Sequence, residues 1–386
     1  MKAFLNIVQN NVRQYSMTCA LLFIMLLFQL LTDGILLQPL NITNIILQNS
    51  YILILAIGMV MIIITGHIDL SVGSVAAFIG ALSAILMIEL NVHPVLAVLI
   101  CLIAGALVGA WQGFWVAYVQ IPAFIVTLAG MLIFRGITLI MLEGQSIASY
   151  PPSFQQLSSG FLPDLFNGDS IHLFSMFLGI VLTAVLIAIQ IKGRKKQLHH
   201  DLPVASPAWF AVKLVAIAAV ILVFTYVLAS YRGIPNILIL LVALIAFYAF
   251  VTKRTVFGRH IYAVGGNEKA AALSGIKTKR VTFAVFVNMG ILAALSGLIF
   301  AARLNAATPR AGNLFELDAI AAAFIGGASA YGGVGTIIGA VVGGLVMGVM
   351  NNGMSILGLG IDWQQAIKGL VLLAAVAFDV VNKRRG

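Results

Sequence analysis

Long unbroken apolar runs follow one another along this chain, separated by short polar or charged breaks. They lack the residue-by-residue alternation of barrel strands. Candidate spans lie near 16–36, 50–65, 72–90, 95–118, 123–142, 171–191, 209–229, 236–251, 281–301, 317–330, 334–351 and 364–381. A helix needs about 20 residues to cross a hydrocarbon core, and most of these runs suffice. The shorter ones are candidates for broken or re-entrant segments. The pattern therefore predicts an all-α polytopic membrane protein with about 10–12 transmembrane helices. Residues 1–386 read as one transmembrane domain, interrupted most conspicuously by a basic, non-hydrophobic island at 252–280.

Composition excludes a soluble domain. Only 9% of the residues are charged and 61% are hydrophobic, where soluble domains carry about a quarter charged residues. The net charge of +10 would suggest nucleic acid in a soluble chain. Here the basic residues cluster at the ends of apolar runs, so membrane orientation accounts for them and no nucleic-acid partner is expected. Cys19 and Cys101 both sit inside apolar runs and read as packing residues, not as a disulfide or metal pair. The first apolar run lacks a cleavage pattern and reads as an anchor.

Charge also sets orientation. Lys2 and Arg13 precede the first span, Lys192, Arg194, Lys195 and Lys196 fill the 192–208 loop, and Lys383, Arg384 and Arg385 end the chain. The island adds Lys253, Arg254, Arg259, Lys269, Lys277, Lys279 and Arg280. All four regions, both termini included, are expected in the cytoplasm. The 143–170 loop holds Glu143, Asp164 and Asp169 without Lys or Arg and is expected outside. Alternating the spans satisfies every one of these assignments.

Glycines recur every fourth residue at Gly105, Gly109 and Gly113 and again at Gly335, Gly339 and Gly343. Small residues at that spacing line one helix face and admit a neighbouring backbone, so packing is the first reading and a gating hinge the second. ITGHIDLSVGSVAA (64–77) can be laid on IGGASAYGGVGTIIGA (325–340) with Gly73 over Gly335. Duplication with paired broken helices and chance similarity of glycine-rich segments both remain open.

Charges at membrane depth are few, and each costs at least about 2.5 kcal/mol there. Asp69 in GHIDLSVG has two compatible readings. With Ser71 it caps the helix expected near Val72, or it lines a pathway beside Gly73 and Phe124. Arg135 reads as an anchor near the outer interface or the partner of a carboxylate. Asp318 reads as the start of its helix, where the dipole favours an acid. His67 stands alone and reads as structural, not as a relay. No GxxxxGK(S/T), HExxH or GxSxG pattern occurs, so the chain carries no phosphate cradle, metalloprotease helix or nucleophile elbow. No catalytic residue, metal ligand or cofactor is expected.

Within the island, Gly265 and Gly266 supply a chain reversal, Asn267 an N-cap and Glu268 an acid in the first turn of a helix. Ala270, Ala271, Ala272 and Leu273 propagate it, and Gly275 ends it. Two turns are not stable alone in water, so a docking surface would help hold them. An ordinary solvated loop is the alternative.

GHIDLSVGS (66–74), PAFIVTLAG (122–130), FRGI (134–137), FGRHIYAVGGNEKAAALSGI (257–276), ELDAIAAAFIGG (316–327) and GGVGTIIGA (332–340) occur in this order. Together they resemble the permease subunits of bacterial monosaccharide ABC importers, of the ribose, arabinose and xylose type. The extra span and basic loop at 171–208, with AWQGFWVAY (110–118) and NNGMS (351–355), look most like the xylose or multiple-monosaccharide branch. The resemblance implies a homodimer in the bacterial inner membrane, separate or fused ATPase subunits, and an extracytoplasmic sugar-binding protein. It also implies that Gly265–Gly275 is the ATPase-coupling helix, with Arg259 beside it. His260 and His67 depart from the family pattern. An ion-coupled secondary carrier and a membrane scaffold or sensor are the rival functions.

Overall fold

The computed structural model describes residues 12–385, apart from 167, 169, 170, 201–203 and 205. Lys2 and Asp169 lie outside the described residues, as do the side chains of Arg13, Lys383, Arg384 and Arg385. The fold is all-α. Its helices are α1 Val12–Leu31, α2 Pro39–Ile64, α3 Val72–Ala84 (continued by a π turn, Ile85–Glu89), α4 Pro94–Ala117 and α5 Ala123–Leu142. After a two-residue strand, β1 Ile147–Ala148, come α6 Pro152–Ser159, α7 Leu173–His199, α8 Pro207–Ala229 and α9 Asn236–Arg254. The island folds as α10 Val256–Gly266 and α11 Glu268–Leu273, leading into α12 Thr278–Leu304. Strand β2 Ala306–Ala307, α13 Phe315–Ile325, α14 Ile337–Ile356 and α15 Ile361–Arg385 complete the chain.

Among the described residues, nine helices are long and apolar enough to cross a membrane: α2, α3 with its π turn, α4, α5, α7, α8, α9, α12 and α14. The other three apolar runs correspond to α1, α13 and α15. At 11 residues, α13 is only about 16 Å long, roughly half a bilayer core.

The helices sort by burial. The most apolar stretch of α2 is 83% buried, whereas that of α8 is only 11% buried. A helix that is apolar all round belongs in the interior, and α2 has that character. It also begins 11 residues earlier than the predicted run at 50–65. Its first half hides polar groups by bonding them internally. Thr43 and Asn49 donate to the carbonyls of Pro39 and Ile45, and Asn41 exchanges two bonds with Asn352 of α14, at 2.9 and 3.0 Å.

The α4 glycines pack against α12. A Cβ on Gly105 would lie 2.5 Å from the Gly290 carbonyl oxygen, and one on Gly113 would lie 3.0 Å from the Phe286 Cβ. Gly339 and Gly343 of α14 face Gly326 and Ala322 in the same way. Close packing therefore accounts for these glycines.

The two faces of the bundle are distinct. At one end, Leu162 N–H bonds Ile234, Asn236 N–H bonds Gly160 and His172 N–H bonds Ala229, gathering the start of α7, the end of α8 and the start of α9. Strands β1 and β2 pair antiparallel at the ends of α5 and α12. Asp164 accepts from four backbone N–H groups, those of Phe166, Gly168, Leu173 and Phe174. The opposite end carries the last turns of α7 and α9 and the whole island; Lys192, Arg194, Lys195 and Lys196, expected in a loop, stand instead on the continuation of α7 to His199, at the same end as the basic island.

Candidate functional site

At the basic end, α11 is built as its sequence dictates. Asn267 adopts an extended conformation and its Oδ1 accepts from Ala270 N–H at 3.0 Å. Gly275 takes φ +84°, a conformation that suits glycine, and ends the helix. Its N–H bonds the Ala272 carbonyl at 3.0 Å while that of Ile276 bonds Ala271 at 3.1 Å, the pairing that closes a helix through a left-handed residue. Ala271 turns inward and is buried. Leu273 turns outward and is 90% exposed, beside exposed Glu268. Arg259 is exposed on α10.

The glycine pair differs from the expectation. Gly265 and Gly266 do not reverse the chain; both lie in the last turn of α10, and extended Asn267 makes the break. Gly265 is needed for contact. A Cβ there would collide with the Ile64 carbonyl at the end of α2 and lie 2.7 Å from Gly333 N. The Gly333 N–H itself bonds that carbonyl at 2.8 Å, and the Tyr262 hydroxyl bonds the Gly335 carbonyl at 2.8 Å. The island is thus keyed to both the end of α2 and the segment before α14.

A cavity of about 440 Å³ opens beside α11. His67, Gln120, Phe124, Glu268, Lys279 and Thr282 contribute to its lining. Burial holds the His67 imidazole below its ordinary pKa, while Glu268 pulls the other way.

From this cavity the chain at 66–71 climbs to a buried polar network. Asp69 Oδ1 accepts from Ser71 N–H at 2.8 Å and from Ser71 Oγ at 2.6 Å, and Gln112 Nε2 donates to Ser71 Oγ at 2.7 Å. This corrects the capping expectation: Asp69 braces Ser71, and neither side chain accepts from the first amides of α3. Thr127 Oγ1 bonds within α5, to Ala123 at 2.9 Å. Asp69→Ala removes both of Ser71's bonds to it, leaving buried donors unpaired, which costs about 1–3 kcal/mol each. Asp69→Asn keeps the Oδ1 acceptor. The expected result is a several-fold loss of activity and lower thermal stability for Asp69→Ala, with Asn restoring most of both. Equal losses in the two variants would assign the requirement to charge.

Gly73, one residue into α3, packs on Gly312 and Glu316, so that a Cβ there would collide with both. Gly335 instead packs on α2, where its Cβ would lie 3.0 Å from Ile64 and 3.1 Å from Val60. The two superposable glycines therefore meet unlike neighbours. Arg135 anchors the segment before α13, donating from Nη1 to the carbonyls of Ala311 at 2.6 Å and Pro309 at 3.3 Å. Asp318 lies in the first turn of α13, and its carboxylate is also paired with Lys368 of α15, at 3.0 and 3.2 Å.

Three residues of this arrangement escaped the sequence reading: Gln112, Glu316 and Lys368. Each has a signal in retrospect. Gln112 is the one polar amide inside the α4 run, Lys368 is a lone cation inside the last run, and buried Glu316 stands two residues from Asp318. Among the described residues, no group of three or more His, Cys, Asp and Glu could hold a metal ion. The geometry is that of broken helices around a polar seam, joined to an exposed short helix.

Residues 41–376 match the family described as the branched-chain amino acid transport system permease component. The chain belongs to that permease family. It is a transport subunit and not an enzyme. The permease is 41% identical over 377 residues to the xylose transport system permease protein XylH of Escherichia coli K12, covering 97% of this chain and 93% of the relative. It is 38% identical over 379 residues to XylH of Haemophilus influenzae, covering 97% and 98%. The ribose import permease protein RbsC of Escherichia coli K12 is 36% identical over 345 residues, covering 89% and 86%. No solved structure matches the permease.

Proposed function

We propose that this permease is the membrane-spanning subunit of an ATP-binding-cassette importer that moves a monosaccharide, xylose or a related sugar, into the bacterial cytoplasm. The observation that carries the reading is the 41% identity to a xylose permease along almost the full length of both chains. Separate ATPase subunits supply the energy, since the sequence holds no phosphate-binding loop. An extracytoplasmic binding protein delivers the sugar, and two copies of the permease enclose the path in the inner membrane. The basic end faces the cytoplasm in this reading, following the positive-inside rule.

Energy enters at α11. An ATPase groove holds Leu273 and Glu268, and Arg259 flanks the contact. Motion of α11 passes through α10, where Gly265 and Tyr262 bear on the end of α2 and on Gly335. Those contacts lead to the cavity beneath Phe124 and to the broken segments at Asp69, Ser71 and Gly73. Asp318, at the start of half-length α13, borders the same path. The 252–280 segment acts as a coupling loop within a single domain.

The rival is an ion-coupled carrier. In cells expressing the complete system, a protonophore that collapses the proton gradient while ATP is maintained should leave xylose uptake close to its untreated rate. Loss of uptake under those conditions would favour the carrier.

A further inference from the structure

Helix α7 has two faces of different character. One forms the seam with α8: Gly179 packs on Thr225, Gln190 Oε1 accepts from Lys213 Nζ at 3.0 Å, and the Arg194 guanidinium sits 4.5 Å over the Phe210 ring. The other runs through Leu182, Val185 and Ile189, which are 48%, 49% and 57% exposed. Such side chains, on a helix apolar enough to span, face acyl chains. This stripe continues into Lys192, Lys195, Lys196 and His199, spaced 0, 3, 4 and 7 along the helix and all exposed. Residues at that spacing share one face.

Length sets their depth. At 27 residues, α7 is about 40 Å long, some 10 Å more than a hydrocarbon core. The surplus is about seven residues, 193–199, which hold Lys195 and Lys196, with Lys192 immediately before them. The cations therefore stand where headgroup phosphates lie, directly in line with side chains that face the tails. Neither α7 nor α8 contains an acidic residue; Asp201, in the connection between them, is the single carboxylate in 173–229. Among the described residues, the ion pair formed between side chains is Lys368–Asp318, far along the chain from these lysines.

We propose that the Lys192, Lys195 and Lys196 face of α7 holds the phosphate of an anionic glycerophospholipid whose acyl chains lie along Leu182, Val185 and Ile189. The proposal rests on reading the chain as a membrane-spanning permease with this end at a leaflet surface. Lys213 is engaged by Gln190, and Arg194 is turned into the seam over Phe210 with its Nη1 buried and without a hydrogen-bond partner among the described residues, so the cations that face outward on α7 are the three lysines. The continuity of an apolar stripe with a cationic turn favours a lipid over a soluble partner, because an anionic lipid presents acyl chains and a phosphate along one line.

The test uses the full-length permease in mild detergent, with retained phosphatidylglycerol and phosphatidylcholine counted by native mass spectrometry. Each cation near an anionic surface is worth about fivefold in affinity. Lys192→Gln/Lys195→Gln/Lys196→Gln should therefore weaken phosphatidylglycerol retention on the order of 100-fold, with phosphatidylcholine unaffected. Lys269→Gln/Lys277→Gln, which removes two exposed charges from the same end of the molecule, neither of them in the last turn of a spanning helix, should retain phosphatidylglycerol nearly as wild type does. An equal loss in that control would reduce the effect to net charge and overturn the site. Displacement by inorganic phosphate would make it a free-anion site, and displacement by the partner ATPase would make it a protein contact; either overturns the lipid assignment. Because the readout is bound lipid, failure here is separable from failure of the transport reading, which would appear as lost uptake.

Discussion

Leu273→Asp is expected to abolish sugar uptake while leaving the permease folded and inserted. Leu273 is 90% exposed on a six-residue helix and makes no contribution to the interior. Exposed substitutions of this kind change stability by about 0.5 kcal/mol or less, so thermal unfolding of the purified protein should be unchanged. A partner that covers the side chain gains about 1.5–3 kcal/mol from its burial. An aspartate loses that gain and adds an unpaired charge to a buried contact. The summed loss of at least about 2 kcal/mol corresponds to roughly 30-fold weaker association with the ATPase. Co-purification at wild-type stoichiometry would remove Leu273 from the interface. Ala271→Asp is a different experiment, since Ala271 is buried and its replacement should damage the fold itself.

The second large effect concerns α13. Lys368→Met leaves the Asp318 carboxylate, in a residue only 6% exposed, without its cation. Removing one partner of a buried pair costs about 3–5 kcal/mol, because the remaining charge is stranded in a medium of low dielectric. Asp318→Asn alone is milder, since Lys368 is partly exposed and reaches water. The double variant Asp318→Asn/Lys368→Met should recover more than half of the single Lys368→Met loss, read as thermal unfolding of the solubilised permease. No recovery would mean that Lys368 acts through packing of its stem and not through its charge.

These two sites also mark what the sequence made legible. The α11 helix was readable because its determinants are local: Asn267, Glu268 and Gly275 lie within nine residues and act on backbone groups beside them. The Lys368–Asp318 pair joins residues 50 apart, and the Ser71–Gln112 bond joins residues 41 apart, so neither leaves a pattern in any short window. Gly265 misled for a related reason. Adjacent glycines suggest a turn, yet here the missing side chain serves close contact with Ile64, two hundred residues earlier in the chain. The early start of α2 was hidden by Asn41, Thr43 and Asn49, polar residues that lower hydropathy until their internal bonds are seen.

The broken helices were visible in the sequence as glycine and polar interruptions, though their different surroundings were not. Gly73 bears on the segment before α13, whereas Gly335 bears on α2 and on Tyr262. Only the second is in direct register with the island. In the proposed coupling scheme, a stroke delivered at α11 would meet α2 and the start of α14 first, through the contacts of Gly265 and Tyr262, and α3 only through the 66–71 segment beside the cavity.

The most direct measurement is xylose uptake into proteoliposomes holding the purified permease with its ATPase and binding protein. Uptake should require all three components and ATP hydrolysis, and should fall to background when Leu273→Asp replaces the wild-type permease at equal incorporation. Xylose accumulation by the permease alone under a proton gradient, or wild-type uptake by the Leu273→Asp complex, would contradict the account.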